Sequence, residues 1–192
     1  ATARKFADNG WAVAGFYKTN PGPEVTNCKF YQVDVRNGEE IEKAFDEAFN
    51  EYGRVDCLVN NAGIFPYKKG LVAYDEEALD QVMAINERGV YLATKTILDK
   101  MQTGSIINVS STAAQAGSTD PIYSATKSAL LGFTKSMAKA LAPQISQLIS
   151  LSLLKKVALP QDIADSIYFL ASDQASHITG ACLDINGGYV LR

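Results

Sequence analysis

Residues 105–127 read SIINVSSTAAQAGSTDPIYSATK. An apolar run ends in Ser110 and Ser111, a polar loop follows, and a helical stretch begins near Tyr123. Apolar runs and helical stretches alternate in the same way along the rest of the chain. This alternation favours parallel strands joined by right-handed crossovers. The sequence therefore predicts an α/β fold, a doubly wound parallel sheet with helices on both faces, which binds ligands at the carboxyl ends of its strands.

Hydrophobic periodicity and turn residues place the elements around this unit. We predict strands at residues 11–16, 29–35, 57–60, 105–109 and 181–185. We predict helices at the start of the chain, after the N-cap Asn37, and at residues 76–101, 123–141 and 160–170. Residues 143–154 contain no convincing strand. Because no linker or repeat interrupts this pattern, we expect one domain over residues 1–192.

Composition narrows the class of function. Hydrophobic residues make up 47% and charged residues 20% of the chain, as in ordinary globular proteins. No apolar run is long enough to span a bilayer, and the N-terminus lacks a signal-peptide core, so we expect a cytoplasmic protein. A net charge of −3 argues against a broad nucleic-acid surface. We therefore expect a small-molecule partner, with neither nucleic acid nor membrane.

The cysteines and the histidine do not form a metal-binding pattern. Cys28, Cys57 and Cys182 are far apart, and His177 is the only histidine. This odd, dispersed set predicts reduced thiols and no metal site. Cys57 and Cys182 lie in apolar runs, which favours core packing, and His177 is expected at the surface.

Tyr123 and Lys127 lie one helical turn apart and so share a face of the predicted helix. A free phenol has a pKa near 10, and a nearby ammonium group lowers that pKa by stabilising the anion. Such a pair can exchange a proton with an alcohol or carbonyl oxygen. The spacing alone is weak evidence, since Tyr91 and Lys95 repeat it. Only Tyr123 follows a strand that ends in two serines.

Several segments together resemble the short-chain dehydrogenase/reductase family, which has a Rossmann-like fold. Their order and approximate spacing match over nearly the whole chain. The matching segments are Asp34 and Val35 after a strand, Asn60–Gly63, Asn86 in a long helix, residues 106–111, Tyr123 with Lys127, and residues 178–180 with 186–188.

The resemblance implies four catalytic residues and a nicotinamide cofactor. Tyr123 would be the general acid/base, and Lys127 would lower its pKa and bind the nicotinamide ribose. Ser111 would orient the substrate oxygen, and Asn86 would hold a water that links Lys127 to solvent. The interval from Ser111 to Tyr123 is one residue shorter than the family pattern, so Ser110 stays an alternative.

The resemblance also implies how the cofactor is bound. Asp34 would accept from the adenine amino group beside Val35, and the backbone of Asn60, Ala62 and Gly63 would face the ribose and nicotinamide. NAD-dependent members place a carboxylate where this chain has Tyr17, followed by Lys18. The missing acid and the available cation favour NADP over NAD, unless Lys18 is an ordinary solvated side chain.

Two features of the family pattern have no counterpart. The first strand, with the glycine-rich turn whose N–H groups meet the pyrophosphate, is absent ahead of Ala1. The strand and Pro-Gly turn beside the nicotinamide are absent near residue 145.

We therefore expect reversible hydride transfer between NAD(P)H and a carbonyl or secondary alcohol, of sugar, polyol or 3-oxoacyl type. A non-catalytic binding or scaffold member, and an epimerase or dehydratase that uses the same tyrosine, are the alternatives. We also expect a homotetramer or homodimer. Ala125, Ala129, Gly132 and Phe133 would form the contact between subunits or belong to the core.

Overall fold

The computed structural model describes residues 1–141, 146–150, 159–179, 181–183 and 185. This part of the chain contains six strands and seven α-helices. In chain order they are α1 (Thr2–Asp8), β1 (Val13–Tyr17), β2 (Cys28–Gln32), α2 (Gly38–Tyr52), β3 (Cys57–Asn60), α3 (Glu76–Met83), α4 (Gly89–Leu98), β4 (Ser105–Asn108), α5 (Ala113–Ala116), α6 (Pro121–Leu141), β5 (Ser146–Ser150), α7 (Pro160–Ala171) and β6 (Ala181–Leu183).

All observed strand pairs are parallel, which confirms the predicted fold class. Strands β1 and β2 form one sheet, and β3, β4, β5 and β6 form a second sheet in that order. No described strand pairs with both β1 and β3, so the sheet is in two parts. The carboxyl ends of β3 and β4 lie side by side, because Asn60 pairs with Asn108.

Two hydrophobic clusters cover the faces of the strands, and each draws residues from both sheets. One cluster joins Tyr31 at β2 to Leu58 and Ile106 on β3 and β4, under the helices α2 and α4. In the other, Phe6 of α1 packs with Ile107 of β4 and with residues of α7. The two sheets therefore share a continuous core.

Helix α2 shows how local sequence sets these boundaries. The Asn37 side chain accepts hydrogen bonds from the backbone N–H groups of Glu39 and Glu40, as the predicted cap requires. Gly53 ends the helix with a φ of 74°, a left-handed conformation that glycine adopts without strain. Buried apolar residues recur at helical spacing between these two ends.

Two predictions of secondary structure were wrong. The single helix predicted over residues 76–101 is interrupted by a π-helical turn at Ala84–Arg88, where extra backbone accommodates the buried Asn86. A strand is present at Ser146–Ser150, where none was expected. Its residues, Ser-Gln-Leu-Ile-Ser, lack the strict polar–apolar alternation that predicts a strand, but pairing with β4 and β6 satisfies its backbone groups.

Candidate active site

Tyr123 and Lys127 lie on the first turns of α6, beside the carboxyl end of β4. The Lys127 amine is 6.0 Å from the centre of the Tyr123 ring. Lys127 is only 5% exposed, and its Nζ donates a hydrogen bond to the Val109 carbonyl oxygen at 3.0 Å. The structure thus brings the predicted pair together at the edge of the sheet where ligands bind.

Burial makes the Lys127 amine a better proton donor than an ordinary lysine. The low-polarity surroundings penalise its charged form and lower its pKa from 10.5 to about 8. At neutral pH the amine still carries a charge, yet it can release its proton close to physiological pH. A cation with these properties can stabilise a neighbouring phenolate and pass on a proton.

The two serines at the end of β4 have different hydrogen bonds. Ser110 Oγ donates to the Lys127 carbonyl oxygen at 2.7 Å, so its hydrogen is used within the protein. Ser111 Oγ accepts from the Ala113 N–H at 3.2 Å. No hydrogen bond donated by Ser111 Oγ is seen among the described residues, so its hydrogen can serve an external acceptor, as a residue that orients a substrate oxygen requires.

Asn86 is fully buried in the π-helical turn, and its amide side chain holds the chain after β3. Its Oδ1 accepts from the Ile64 N–H at 2.8 Å, and its Nδ2 donates to the Ile64 carbonyl oxygen at 3.0 Å. The Nδ2 also donates to Thr126 Oγ1 on α6 at 3.2 Å. Asn86 therefore joins the turn after β3 to the helix that carries Tyr123.

Gly63 sits against both of these polar groups. A Cβ atom built on Gly63 would lie 3.2 Å from Lys127 Nζ and 3.3 Å from Asn86 Oδ1. These distances are shorter than ordinary van der Waals contacts, so only glycine fits without displacing a neighbour. The backbone of the predicted cofactor turn thus borders the predicted proton-transfer groups directly.

Asn60 takes part in a buried polar network rather than pointing outwards. Its Nδ2 donates to Asn108 Oδ1 at 2.8 Å and to Thr94 Oγ1 at 3.1 Å, and Asn108 Nδ2 donates to Thr134 Oγ1 at 2.7 Å. The network fastens the ends of β3 and β4 to the helices α4 and α6. It fixes the backbone position of the turn, which includes the exposed Ala62.

Asp34 lies at the end of the two-stranded sheet between two cations. Arg36 and Lys18 contact the same carboxylate, with Nη2 and Nζ at 2.5 and 2.9 Å from Oδ2. The Arg36 guanidinium first, and then Lys18, hold the pKa of Asp34 well below its usual range. Beside them, Val35 packs against Gly89 of α4, where a Cβ would lie 3.0 Å from the Val35 carbonyl oxygen.

These residues fit part of a dinucleotide. The close packing of Gly63 on Lys127 and Asn86 provides bare backbone next to a buried amine, which suits a ribose and a planar ring. Lys18 and Arg36 offer cations at the other end, although the Asp34 carboxylate is already committed to them. The described residues would therefore hold the nicotinamide ribose near Lys127 and the adenosine near Asp34.

Sequence reasoning missed the buried Asp120. Its Oδ1 accepts from the Tyr123 N–H at 3.0 Å and from the Tyr74 hydroxyl at 2.6 Å, which caps α6 and ties it to the segment after β3. Burial, and then this carboxylate, raise the pKa of Tyr74. The pair Asp120-Pro121 is a typical helix start and could have moved the predicted boundary from Tyr123 to Pro121.

The second Tyr–Lys pair has no such surroundings. The Tyr91 ring packs against Phe133 with centres 4.7 Å apart, and Lys95 is exposed on α4. Burial raises the pKa of Tyr91, and the neighbouring Glu87 raises it further. This environment opposes a phenolate, so the surroundings of Tyr91 differ from those of Tyr123.

The remaining residues singled out in the sequence lie away from this site. His177 is exposed, as expected. Cys57 is half-buried against the cluster that contains Phe6, whereas the side chain of Cys182 lies outside the described residues. Residues 180 and 186–188, part of the family pattern, are also outside them. None of the helices that the structure describes is long and apolar enough to cross a membrane.

Two protein-family models together match most of this chain. A family model described as short chain dehydrogenase matches residues 1–151, and one described as enoyl-(acyl carrier protein) reductase matches residues 144–190. The 3-oxoacyl-[acyl-carrier-protein] reductase of Thermotoga maritima is 33% identical over 189 residues, covering 84% of this chain and 76% of that protein.

Solved structures give the same relationship. A 3-ketoacyl-(acyl-carrier-protein) reductase from Brucella melitensis, complexed with NADH, superposes with a TM-score of 0.94 at 28% identity, covering 99% of this chain and 92% of that one. The ligand-free aldohexose dehydrogenase of Thermoplasma acidophilum superposes with a TM-score of 0.91 at 27% identity, over 100% and 89% of the two chains. The chain therefore belongs to the short-chain dehydrogenase/reductase family.

Proposed function

We propose that this protein transfers a hydride reversibly between a nicotinamide cofactor and a carbonyl compound of 3-oxoacyl type, with Tyr123 as the general acid/base. One observation carries the proposal: the buried Lys127 amine lies 6.0 Å from the Tyr123 ring at the carboxyl edge of the sheet. The similar 3-oxoacyl reductases supply the substrate class. A sugar substrate is the second candidate, since an aldohexose dehydrogenase shares the fold.

A bound reduced nicotinamide supplies the hydride that no side chain can provide. Ser111 donates a hydrogen bond to the substrate oxygen and so orients the carbonyl group. Tyr123 then gives its proton to that oxygen as negative charge develops there, and the Lys127 charge stabilises the resulting phenolate. Because the Lys127 pKa is about 8, the amine can give a proton to the phenolate and regain one from solvent, and a water held near Asn86 would provide the path.

We propose NADP as the preferred cofactor. Lys18 and Arg36 place two cations at the end of the adenosine pocket, and Tyr17 stands where a ribose-binding carboxylate would select NAD. Arginine and lysine at such a position bind a phosphate by charge-assisted hydrogen bonds. NAD is the alternative if the two cations stay bound to Asp34.

The organisation of the chain is also a proposal. Residues 1–192 are proposed to form one domain, because both hydrophobic clusters draw on the two sheets together. The free thiols of Cys28 and Cys57 support a reducing compartment, the cytoplasm.

We propose self-association as a homodimer or homotetramer through α4 and α6. Ala125 and Gly132 are exposed on α6, and Ala129 and Phe133 are half-buried, so none of the four belongs to the core of the single chain. A Cβ on Gly132 would meet nothing within 4 Å. Such small residues on an outer helix face allow a second helix to approach closely.

The test of the proposed activity follows the absorbance of the reduced cofactor with a panel of carbonyl compounds, including a 3-oxoacyl thioester and an aldohexose. We expect turnover by the wild type and a loss of at least about 100-fold in Tyr123→Phe, the lower end of what a general acid contributes. Tyr91→Phe is the matched control, because Tyr91 is also followed by a lysine four residues later and loses the same hydroxyl group. Equal rates in wild type and Tyr123→Phe would refute the assignment.

A further inference from the structure

The segment after β3 places aromatic rings on the proposed catalytic residue. The Phe65 ring lies 4.6 Å from the Tyr123 ring, measured between centres, with the planes tilted by 42°. The Tyr67 ring lies 4.4 Å from the Phe65 ring at the same tilt. The three rings form a continuous stack that begins at Tyr123 and reaches the surface, where Tyr67 is 80% exposed.

The strained backbone at Tyr67 indicates that surrounding contacts hold these rings in this arrangement. Tyr67 has a φ of 57°, in the left-handed region that bulky residues rarely adopt. Such a conformation persists only when surrounding contacts hold it, and it is concentrated at functional sites. In this conformation the Tyr67 side chain turns back onto Phe65, so the strain is coupled to the ring contact.

Three tethers hold the segment in place on both sides of the rings. The Asn86 side chain binds both the N–H and the carbonyl group of Ile64, immediately before Phe65. The Gly70 N–H donates to the Thr119 carbonyl oxygen at 2.8 Å. The Tyr74 hydroxyl donates to Asp120, which also caps the helix of Tyr123. The rings therefore keep a fixed position relative to the reacting phenol.

Phe65 is 38% exposed although it contacts Tyr123, so part of its ring remains open to a ligand at the phenol. Because the Phe65 ring lies against Tyr123, a substrate whose carbonyl oxygen reaches this phenol would bring a substituent within contact distance of the ring. The ring offers no hydrogen bond, and it is favourable for an apolar substituent and unfavourable for buried hydroxyl groups.

We propose that Phe65, supported by Tyr67, is a specificity-determining residue that selects carbonyl substrates with an apolar chain beside the reacting group. The inference rests on the proposed function and identifies the residue that distinguishes substrates by the group next to their carbonyl. It predicts that the enzyme prefers a medium-chain 3-oxoacyl thioester to the four-carbon homologue, and that this preference depends on the Phe65 ring.

The test compares kcat/KM for the 3-oxooctanoyl and 3-oxobutanoyl thioesters of N-acetylcysteamine. Phe65→Ala should lower the ratio of the two values by about 3- to 10-fold, the range that an aromatic contact contributes. Phe65→Tyr should keep the ratio, since it retains the ring. Phe169→Ala is the matched control, because Phe169 is 37% exposed on α7. Tyr67→Gly should lower the ratio by about 2-fold or more, while the relief of backbone strain preserves or raises the melting temperature.

The outcomes separate this inference from the activity itself. An unchanged ratio in Phe65→Ala, or an equal loss on both thioesters, overturns the role of Phe65 while the proposed function stands. A wild type that reduces the aldohexose but neither thioester overturns both the role of Phe65 and the 3-oxoacyl substrate class, and leaves the sugar as the substrate of the proposed hydride transfer. A wild type that reduces nothing in the panel overturns both.

Discussion

Replacing Gly63 by alanine tests whether the cofactor turn borders the proton-transfer groups as the structure describes. The added methyl would lie 3.2 Å from Lys127 Nζ and 3.3 Å from Asn86 Oδ1, so each neighbour must move by a few tenths of an ångström. Neither can move freely. Lys127 is buried and bonded to the Val109 carbonyl oxygen, and Asn86 is held by three hydrogen bonds.

The size of the effect follows from two opposing contributions. Alanine restricts the unfolded chain more than glycine does, which stabilises the folded state by about 0.4–1 kcal/mol. This gain applies at position 63 because Gly63 has no left-handed φ, so alanine can adopt the same backbone conformation. Overpacking costs about 1–3 kcal/mol. We expect overpacking to win, with a net loss of about 1–2 kcal/mol in the free energy of unfolding. The catalytic rate should fall by a larger factor than the stability. A 1 Å displacement of a reacting group can lower the rate by about 100-fold, so a displacement of a few tenths of an ångström should lower kcat by about 10-fold.

The assay combines urea unfolding with kcat for carbonyl reduction. Gly38→Ala serves as the control, because its Cβ would lie 3.9 Å from the Leu92 methyl groups, an ordinary contact. If Gly63→Ala keeps both the kcat and the stability of the wild type, the turn does not border Lys127 and Asn86, and the reasoning fails.

Three further predictions follow from buried or charged groups. Burial lowers the pKa of Lys127 to about 8, so the unfolded chain binds that proton more tightly; the free energy of unfolding should therefore rise between about pH 8 and pH 10.5. The Lys127→Met variant should lack this rise and, at pH 7, should be more stable than the wild type by up to about 3 kcal/mol. If urea unfolding gives the same pH dependence of stability for both proteins, the lowered pKa of Lys127 is contradicted. Asn108→Val removes the hydrogen bonds that the Asn108 side chain makes with Asn60 and Thr134, and should lower the free energy of unfolding by about 2–4 kcal/mol. A loss below about 0.5 kcal/mol in urea unfolding would show that the network contributes little to stability. Lys18→Ala and Arg36→Ala should each raise the KM for NADPH by about 10-fold and the KM for NADH by less than about 2-fold; equal changes for both cofactors would argue against a phosphate contact.

Much of the fold could be predicted because local signals and tertiary packing agree. The Asn37 cap and Gly53 stop of α2 lie where the sequence places them, since capping is a local interaction. The strand Ser146–Ser150 could not be predicted in the same way. Its sequence alternates polar and apolar residues only weakly, and its structure depends on partners far away in the chain.

The same distinction applies to the site. The Tyr123–Lys127 pair could be predicted because four residues of helix bring the two side chains to one face. Asp120, Tyr74 and Phe65 could not, because the contacts that define their roles join segments about 50 residues apart. No periodicity in the sequence reports such a contact. Lys18 was singled out as a cation that favours NADP, but the ion pairs that it and Arg36 form with Asp34 were not predicted.

The central claim is that a hydride passes from the cofactor to a carbonyl carbon while Tyr123 protonates the oxygen. Incubation of the protein with a 3-oxoacyl thioester and reduced cofactor that carries deuterium at both hydrogen positions of nicotinamide C4 tests this most directly. The account predicts deuterium on the carbinol carbon of the product in the wild type, and a loss of at least about 100-fold in the rate of its appearance in Tyr123→Phe. Product that forms without deuterium, or labelled product at the wild-type rate in Tyr123→Phe, would contradict it.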